Sequence, residues 1–200
     1  PDDLCLIAVS KTRSEAEIRA LIAAGQRHFG ENRVAEAATK WPAIKADHPD
    51  ITLHMIGQLQ SNKAEEAVAM FDVIHSLDRP SLLQALVSAS EKIGRTPTVF
   101  VQVNIGEETQ KGGCAIADLS AFLVTVRASP LRFAGLMAMP PLDSPFGNQP
   151  GPYFALTEKL ARRHDVSDEK MALSMGMSGD YQTAIMLGAT HIRVGSALFA

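Results

Sequence analysis

The sequence has few features that would suggest a membrane, a secretory route or a nucleic-acid partner. Of its 200 residues, 19 are basic and 22 acidic, and the net charge of −3 argues against a nucleic-acid-binding surface. No run approaches the ~18 apolar residues of a membrane span, and no charged-then-apolar leader precedes the first apolar segment. We therefore expect a cytoplasmic protein with neither a membrane nor a nucleic-acid partner.

Cysteine is also scarce. Cys5 and Cys114 lie far apart and without the spacing of a metal site, so we expect neither a disulfide nor a metal centre. The chain is nevertheless 46% hydrophobic, which is enough for a substantial core. Residues 1–200 are therefore predicted to form a single domain.

Eight short apolar segments alternate with helical patterns along the whole chain. They are apolar and β-branched enough to be buried on both faces, as strands of a parallel sheet are. The predicted strands are Cys5–Ser10, His28–Asn32, Leu53–Gly57, Val73–Leu77, Thr98–Ile105, Arg132–Met139, Met171–Gly176 and His191–Phe199. This alternation predicts an α/β fold, a single-domain (β/α)8 TIM barrel, with an open doubly wound sheet as the alternative.

The first apolar strand leads directly into Lys11. Burying an ammonium group is costly, so a lysine at such a strand end is expected where its amine has a task. A lysine amine is a nucleophile toward aldehydes and can form a Schiff base. The alternative is a lysine whose amine simply extends into solvent.

Two glycine-bearing segments near the end of the chain predict an anion site. The segment from Ser174 to Asp180 precedes a helix, so its backbone N–H groups, including those of Ser178 and Gly179, would face an anion. Arg193 to Ser196, which includes Gly195, belongs to the eighth strand and its exit, where barrels commonly bind phosphate. A guanidinium inside an apolar strand needs an anionic partner. The alternative is that Ser178 only caps a helix and the glycines only form turns.

The carboxyl ends of barrel strands converge on one mouth, which would bring Lys11, Asn32 and the two glycine-bearing segments together. A Schiff-base lysine opposite a phosphate site predicts a ligand with both a carbonyl group and a phosphate. Pyridoxal 5′-phosphate and a sugar-phosphate aldol substrate both meet this description, and the residues alone do not separate them.

Four histidines fall in or beside predicted strands: His28, His54, His75 and His191. They lack the spacing of a metal site, so we interpret them as hydrogen-bonded core or rim residues. Glu31 precedes a helix start, where a carboxylate is stabilised in any case. Lys111 is a rival anion contact, and the segment from Pro140 to Pro152 is either a lid or a long surface loop.

Seven sequence blocks together resemble the pyridoxal phosphate homeostasis proteins, the proline synthase co-transcribed family, whose barrel is similar to the N-terminal domain of alanine racemase. The blocks are AVSKT (8–12), FGEN (29–32), HMIGQLQSNK (54–63), VNIGEETQKGG (103–113), GLMAMPP (135–141), LSMGMSGDYQTAI (173–185) and RVGSALF (193–199). The resemblance implies a fold-type-III barrel in which Lys11 holds pyridoxal 5′-phosphate as a Schiff base and Asn32 lies beside the ring. It implies a phosphate site made by Ser178, Gly179, Arg193 and Gly195. We also count Ser174 and Ser196 as cofactor-binding candidates, because they belong to the same two segments.

The resemblance implies a monomeric carrier that stores or delivers the cofactor and influences amino-acid and keto-acid balance. Apo enzymes that use the cofactor are then candidate recipients, and we assign no catalytic residue and no metal. The alternative is a racemase-like enzyme of low activity; racemases of this fold bring a tyrosine from a second domain, whereas this chain has only Tyr153 and Tyr181. The family's helix before the first strand is expected to be missing here.

Overall fold

The computed structural model describes residues 4–108, 112–141, 149–166 and 170–199. Within these ranges, eight parallel strands pair in chain order and close into a barrel, because the last strand pairs with the first. The predicted (β/α)8 barrel is confirmed. Lys111 and most of the segment from Pro140 to Pro152 lie outside the described residues.

The strands and helices alternate along the whole chain. The strands are β1 (Cys5–Val9), β2 (His28–Glu31), β3 (Thr52–Met55), β4 (Val73–Leu77), β5 (Thr98–Val103), β6 (Arg132–Ala138), β7 (Ala172–Met177) and β8 (His191–Val194). The helices are α1 (Glu15–Ala23), α2 (Val34–Asp47), α3 (Ala64–Met70), α4 (Pro80–Ile93), α5 (Leu119–Ala128), α6 (Gly151–His164) and α7 (Tyr181–Met186), and a 3-10 turn at Ser61–Lys63 precedes α3. No helix among the described residues is long and apolar enough to cross a membrane.

The predicted strand boundaries hold to within two residues except in β8. That strand was expected to reach Phe199, but it ends at Val194. The chain turns immediately afterwards, since the Leu198 N–H donates to the Gly195 carbonyl at 2.9 Å. The apolar residues that follow β8 therefore form a turn and do not extend the sheet.

Both faces of the strands are buried, which explains their continuous apolar sequence. In β1, the adjacent residues Ile7 and Ala8 are both fully buried, although side chains alternate between the two faces of a strand. One face packs on the helices, as Phe29 does against Trp41 with ring centroids 5.3 Å apart. The other face points into the barrel, so alternate side chains of each strand line its interior up to the carboxyl end, which forms the mouth.

The turn between β7 and α7 depends on a glycine. Gly176 has a φ of +95°, and a Cβ there would lie 2.6 Å from the Ala184 Cβ. Only glycine allows α7 to approach the strand this closely without strain. The N-cap residue of α7 is Asp180, so Ser178 does not cap this helix, contrary to the alternative that the sequence left open.

Candidate functional site

A pocket of about 400 Å³ opens at the carboxyl end of the barrel strands. Most of the residues predicted as cofactor-binding line it: Lys11, Asn32, Ser178, Gly179, Arg193, Gly195 and Ser196. The lining is completed by Val9, Thr12, Arg13, Ile56, Met139 and Met177. Its volume suits a small-molecule ligand.

Lys11 is exposed at the pocket, and the loop that carries it is anchored from α2. Thr12 follows with a φ of +62°, a left-handed conformation that is strained for a β-branched residue. Its N–H donates to Glu36 Oε1 at 2.5 Å, and Lys40 Nζ donates to the Ser10 carbonyl at 2.8 Å. These contacts fix the backbone beside Lys11. Within the described residues, no hydrogen bond or ion pair engages Lys11 Nζ.

The contacts with this loop favour the ionised form of Glu36. Burial raises the pKa of its carboxyl, but the Thr12 N–H and the Lys40 ammonium outweigh that effect and leave the pKa below its ordinary value. The carboxylate is therefore ionised at neutral pH and accepts the hydrogen bond that holds Thr12.

Glu31 lies beneath the loop that carries Lys11. The residue is fully buried, and its Oε1 accepts from Ser10 Oγ at 2.7 Å and from Trp41 Nε1 at 2.9 Å. Lys40 Nζ lies 2.9 Å from the same oxygen. Glu31 is thus the acidic member of a buried ion pair beside the site, and the signal for it was a charge inside an apolar strand.

Asn32 lines the pocket and carries a buried side-chain acceptor. Its Oδ1 is buried and has no hydrogen-bond partner among the described residues. The backbone is held closely, because a Cβ at Gly57 would lie only 2.2 Å from the Asn32 carbonyl oxygen. A buried acceptor without a partner costs about 1–3 kcal/mol, so a ligand that donates to it is favoured.

Arg193 places a positive charge at the base of the pocket. Its side chain donates to Ser174 Oγ at 2.7 Å and to the Ala138 carbonyl at 3.1 Å. Burial lowers the pKa of the guanidinium to about 10, an effect that Asp180 partly offsets, so it remains protonated at neutral pH. Ser174 does not line the pocket; it lies beneath, where it also contacts His75 Nδ1 at 2.8 Å. We therefore place Ser174 as a support for Arg193.

The two segments predicted as a phosphate site lie side by side. Ser178 Oγ accepts a hydrogen bond from the Gly195 N–H at 3.1 Å, which joins the loops after β7 and β8. A Cβ at Gly179 would meet nothing within 4 Å, so its backbone faces open space. The loops thus form a pocket wall with polar backbone groups and a hydroxyl, above a buried cation.

Comparison with known proteins assigns this barrel to a family. The alanine racemase N-terminal domain family matches residues 5–200. The pyridoxal phosphate homeostasis protein of Pseudomonas aeruginosa is 41% identical over 201 residues, which cover 100% of this chain and 85% of that protein. The chain belongs to the pyridoxal phosphate homeostasis protein family.

Two solved structures of a relative, PipY, agree with this assignment. PipY of Synechococcus elongatus without pyridoxal phosphate superposes with a TM-score of 0.92 at 42% identity, covering 100% of this chain and 94% of PipY. PipY with pyridoxal phosphate bound gives a TM-score of 0.89 at 41% identity, with the same coverage. The family predicted from the seven sequence blocks is confirmed.

The sequence missed several residues that shape the site. Thr12 and Arg13 line the pocket, and Arg13 lies over the Phe199 ring at 4.9 Å from its centroid. Their position directly after Lys11 was the available signal. Neither Tyr153 nor Tyr181 is among the lining residues.

Proposed function

We propose that this chain binds pyridoxal 5′-phosphate in the mouth pocket and stores or delivers it inside the cell. The observation that carries the proposal is the meeting of Lys11 with Arg193 and the loops after β7 and β8 in one pocket. PipY, which is 41% identical, was solved with pyridoxal phosphate bound.

The residues present fit this cofactor. When bound, pyridoxal phosphate supplies an aldehyde with which a lysine amine condenses, releasing water. Lys11 Nζ, at the pocket and without a partner in the described part of the chain, is the amine for that bond. The Asn32 Oδ1 acceptor suits a hydroxyl donor on the ring.

The phosphate belongs at the loops after β7 and β8. Ser178, Gly179, Gly195 and Ser196 form the wall there, and Arg193 supplies the compensating charge. The Gly195 N–H already donates to Ser178, so the Ser178 hydroxyl proton and the other backbone N–H groups are the donors left for an anion.

The composition of the pocket favours binding of the cofactor over catalysis with it. The titratable side chains in its described lining are Lys11, Arg13 and Arg193, all basic. Racemisation of an amino acid needs a positioned acid or base on each face of the substrate. The low-activity racemase stays the alternative, and rapid racemisation of any amino acid by the purified chain would favour it.

The covalent bond is tested by visible absorbance and borohydride reduction. The loaded protein is expected to be yellow, and borohydride should fix one pyridoxyl group per chain on Lys11, located by peptide mass. Lys11→Ala should abolish both signals, whereas Lys63→Ala, which removes a lysine paired with Glu66 at 2.8 Å outside the pocket, should keep them. A colourless protein that borohydride traps only when a sugar phosphate is present would support the aldolase reading instead.

Delivery is tested separately from binding. The loaded chain is mixed with an apo enzyme that uses pyridoxal phosphate, in the presence of a scavenger for free cofactor. Recovery of enzyme activity despite the scavenger supports direct delivery, and activity only without it supports storage with release. A monomer, proposed here, should elute near 21.5 kDa in size exclusion with light scattering. The cytoplasmic location stays a prediction.

A further inference from the structure

At the amino-terminal end of the barrel, opposite the pocket, a cysteine and two histidines from three neighbouring strands lie together. Cys5 is the first residue of β1, His28 the first of β2 and His54 the third of β3. Cys5 Sγ and one ring nitrogen of each histidine all lie within 4.8 Å of one another. The three residues are far apart in the sequence, and the pairing of β1 with β2 and of β2 with β3 brings them together.

The spacing of these atoms suits a tetrahedral metal ion. Two nitrogen ligands bound at about 2.0–2.1 Å in tetrahedral geometry lie about 3.3 Å apart. His28 Nδ1 and His54 Nε2 are 3.1 Å apart, joined by one shared proton. The separation of the two nitrogens therefore already matches that of a tetrahedral site, and Cys5 Sγ has to approach them by no more than about 1.3 Å.

The surroundings of His54 are those of a metal-binding histidine. Its other ring nitrogen, Nδ1, lies 2.9 Å from His75 Nε2, and His75 Nδ1 lies 2.8 Å from Ser174 Oγ. A ligating histidine keeps its proton on the nitrogen away from the ion and donates it to such a partner. Donation from His54 Nδ1 leaves Nε2, the nitrogen that faces His28, without a proton and able to bind an ion.

Two of the three side chains reach the rim of the barrel. Cys5 and His28 are half-buried at the rim of the barrel, whereas His54 is 1% exposed. A thiolate with two imidazoles is a ligand set that suits zinc.

We propose that Cys5, His28 and His54 bind one zinc ion at the amino-terminal end of the barrel, with water as the fourth ligand. On binding, the Cys5 thiol proton passes to solvent as the Zn–S bond forms, so one proton is released per ion. The shared imidazole proton moves to a nitrogen away from the metal, and both rings stay neutral. The ion ties β1, β2 and β3 together at the end of the barrel opposite the mouth.

Cobalt, which takes the same coordination as zinc and absorbs visible light, tests the proposal on the intact chain after treatment with a chelator. We expect one equivalent to bind, with a thiolate-to-cobalt charge-transfer band that zinc displaces. Cys5→Ser should abolish the band, and His28→Gln should weaken binding at least ~10-fold. Cys114→Ser, the matched control at the other thiol, should change neither. Zinc should raise the thermal midpoint of the wild type and of Cys114→Ser but not of Cys5→Ser.

The proposal is overturned if neither metal binds, if cobalt binds without the thiolate band, or if the band survives Cys5→Ser. Binding that Cys114→Ser removes would also overturn it. Because His28 is half-buried at the rim, His28→Gln tests the site independently should Cys5→Ser fail to fold. The pyridoxal phosphate spectrum of each variant, which reports on the other end of the barrel, confirms that the fold is intact.

Discussion

Replacing Lys40 by methionine should destabilise the barrel far more than the loss of an ordinary lysine. The Lys40 side chain is 10% exposed and its partner Glu31 is fully buried, with 2.9 Å between Nζ and Oε1. Removing one partner of such a pair leaves an uncompensated charge in the interior, at a cost of about 3–5 kcal/mol. The Ser10 carbonyl also loses its 2.8 Å hydrogen bond, which is worth about 1 kcal/mol.

The magnitude can be separated into its parts by a double-mutant cycle. Lys40→Met together with Glu31→Gln removes both charges, while glutamine still accepts from Ser10 Oγ and Trp41 Nε1. We expect the double variant to be at least ~2 kcal/mol more stable than Lys40→Met alone. Lys63→Met is the surface control: its pair with Glu66 is 42% and 51% exposed and should be worth less than about 1 kcal/mol.

Urea denaturation of the wild type, Lys40→Met, Glu31→Gln, the double variant and the Lys63→Met control at pH 7 measures these differences, provided that the slope of the free energy of unfolding against urea stays constant. Two results would refute the reasoning. One is a loss below about 1 kcal/mol in Lys40→Met. The other is a double variant as unstable as the single one, because the cost would then arise from packing and not from the stranded charge of Glu31.

Three further predictions concern the pocket and the second thiol. Arg193→Ala should weaken pyridoxal phosphate binding ~10-fold or more, as titrated by absorbance, because charged hydrogen bonds are worth about 1.5–3 kcal/mol; unchanged affinity would remove Arg193 from the site. Gly179→Asp should repel pyridoxal phosphate but bind pyridoxal, which lacks the phosphate, almost normally. The neutral Gly179→Asn should bind both ligands, because a Cβ at this position meets nothing within 4 Å. Equal losses for both ligands in Gly179→Asp would place the phosphate elsewhere. Burial, with Asp118 and Asp78 adding to it, raises the pKa of the Cys114 thiol to about 11. In the Cys5→Ser background, alkylation of Cys114 at pH 8 should therefore be ~100-fold slower than alkylation of a peptide cysteine, and it should accelerate up to about pH 11. A rate like that of the peptide would contradict this prediction.

The pocket could be predicted from the sequence because barrel geometry is simple. Parallel strands present their carboxyl ends at one mouth, so residues such as Lys11, Asn32 and Ser178 meet once eight strands are recognised. What the pattern could not show is depth along a strand. Ser174 and Ser178 belong to one block, yet Ser174 lies beneath the pocket and supports Arg193, whereas Ser178 lines it.

The end of β8 shows a similar limit. The apolar residues Ala197, Leu198 and Phe199 are typical of a strand, but the chain turns at Gly195. Phe199 packs under the Arg13 guanidinium, 4.9 Å from its ring centroid. Hydrophobic content alone does not distinguish a position in the sheet from a turn that follows it.

The sequence by itself determined the order of strands and helices, the closed barrel and the family, because those depend on local periodicity and on short blocks of contiguous residues. Only the tertiary structure decided which distant polar groups meet. Glu31 at the end of β2 pairs with Lys40 of α2, and Cys5 of β1 lies beside His28 and His54 of the next two strands. These contacts depend on side-chain directions that spacing along the chain does not encode. The physical reason is that a charge or a metal ligand interacts over a few ångströms in space, whereas a periodic pattern reports only which face of its own element a residue occupies.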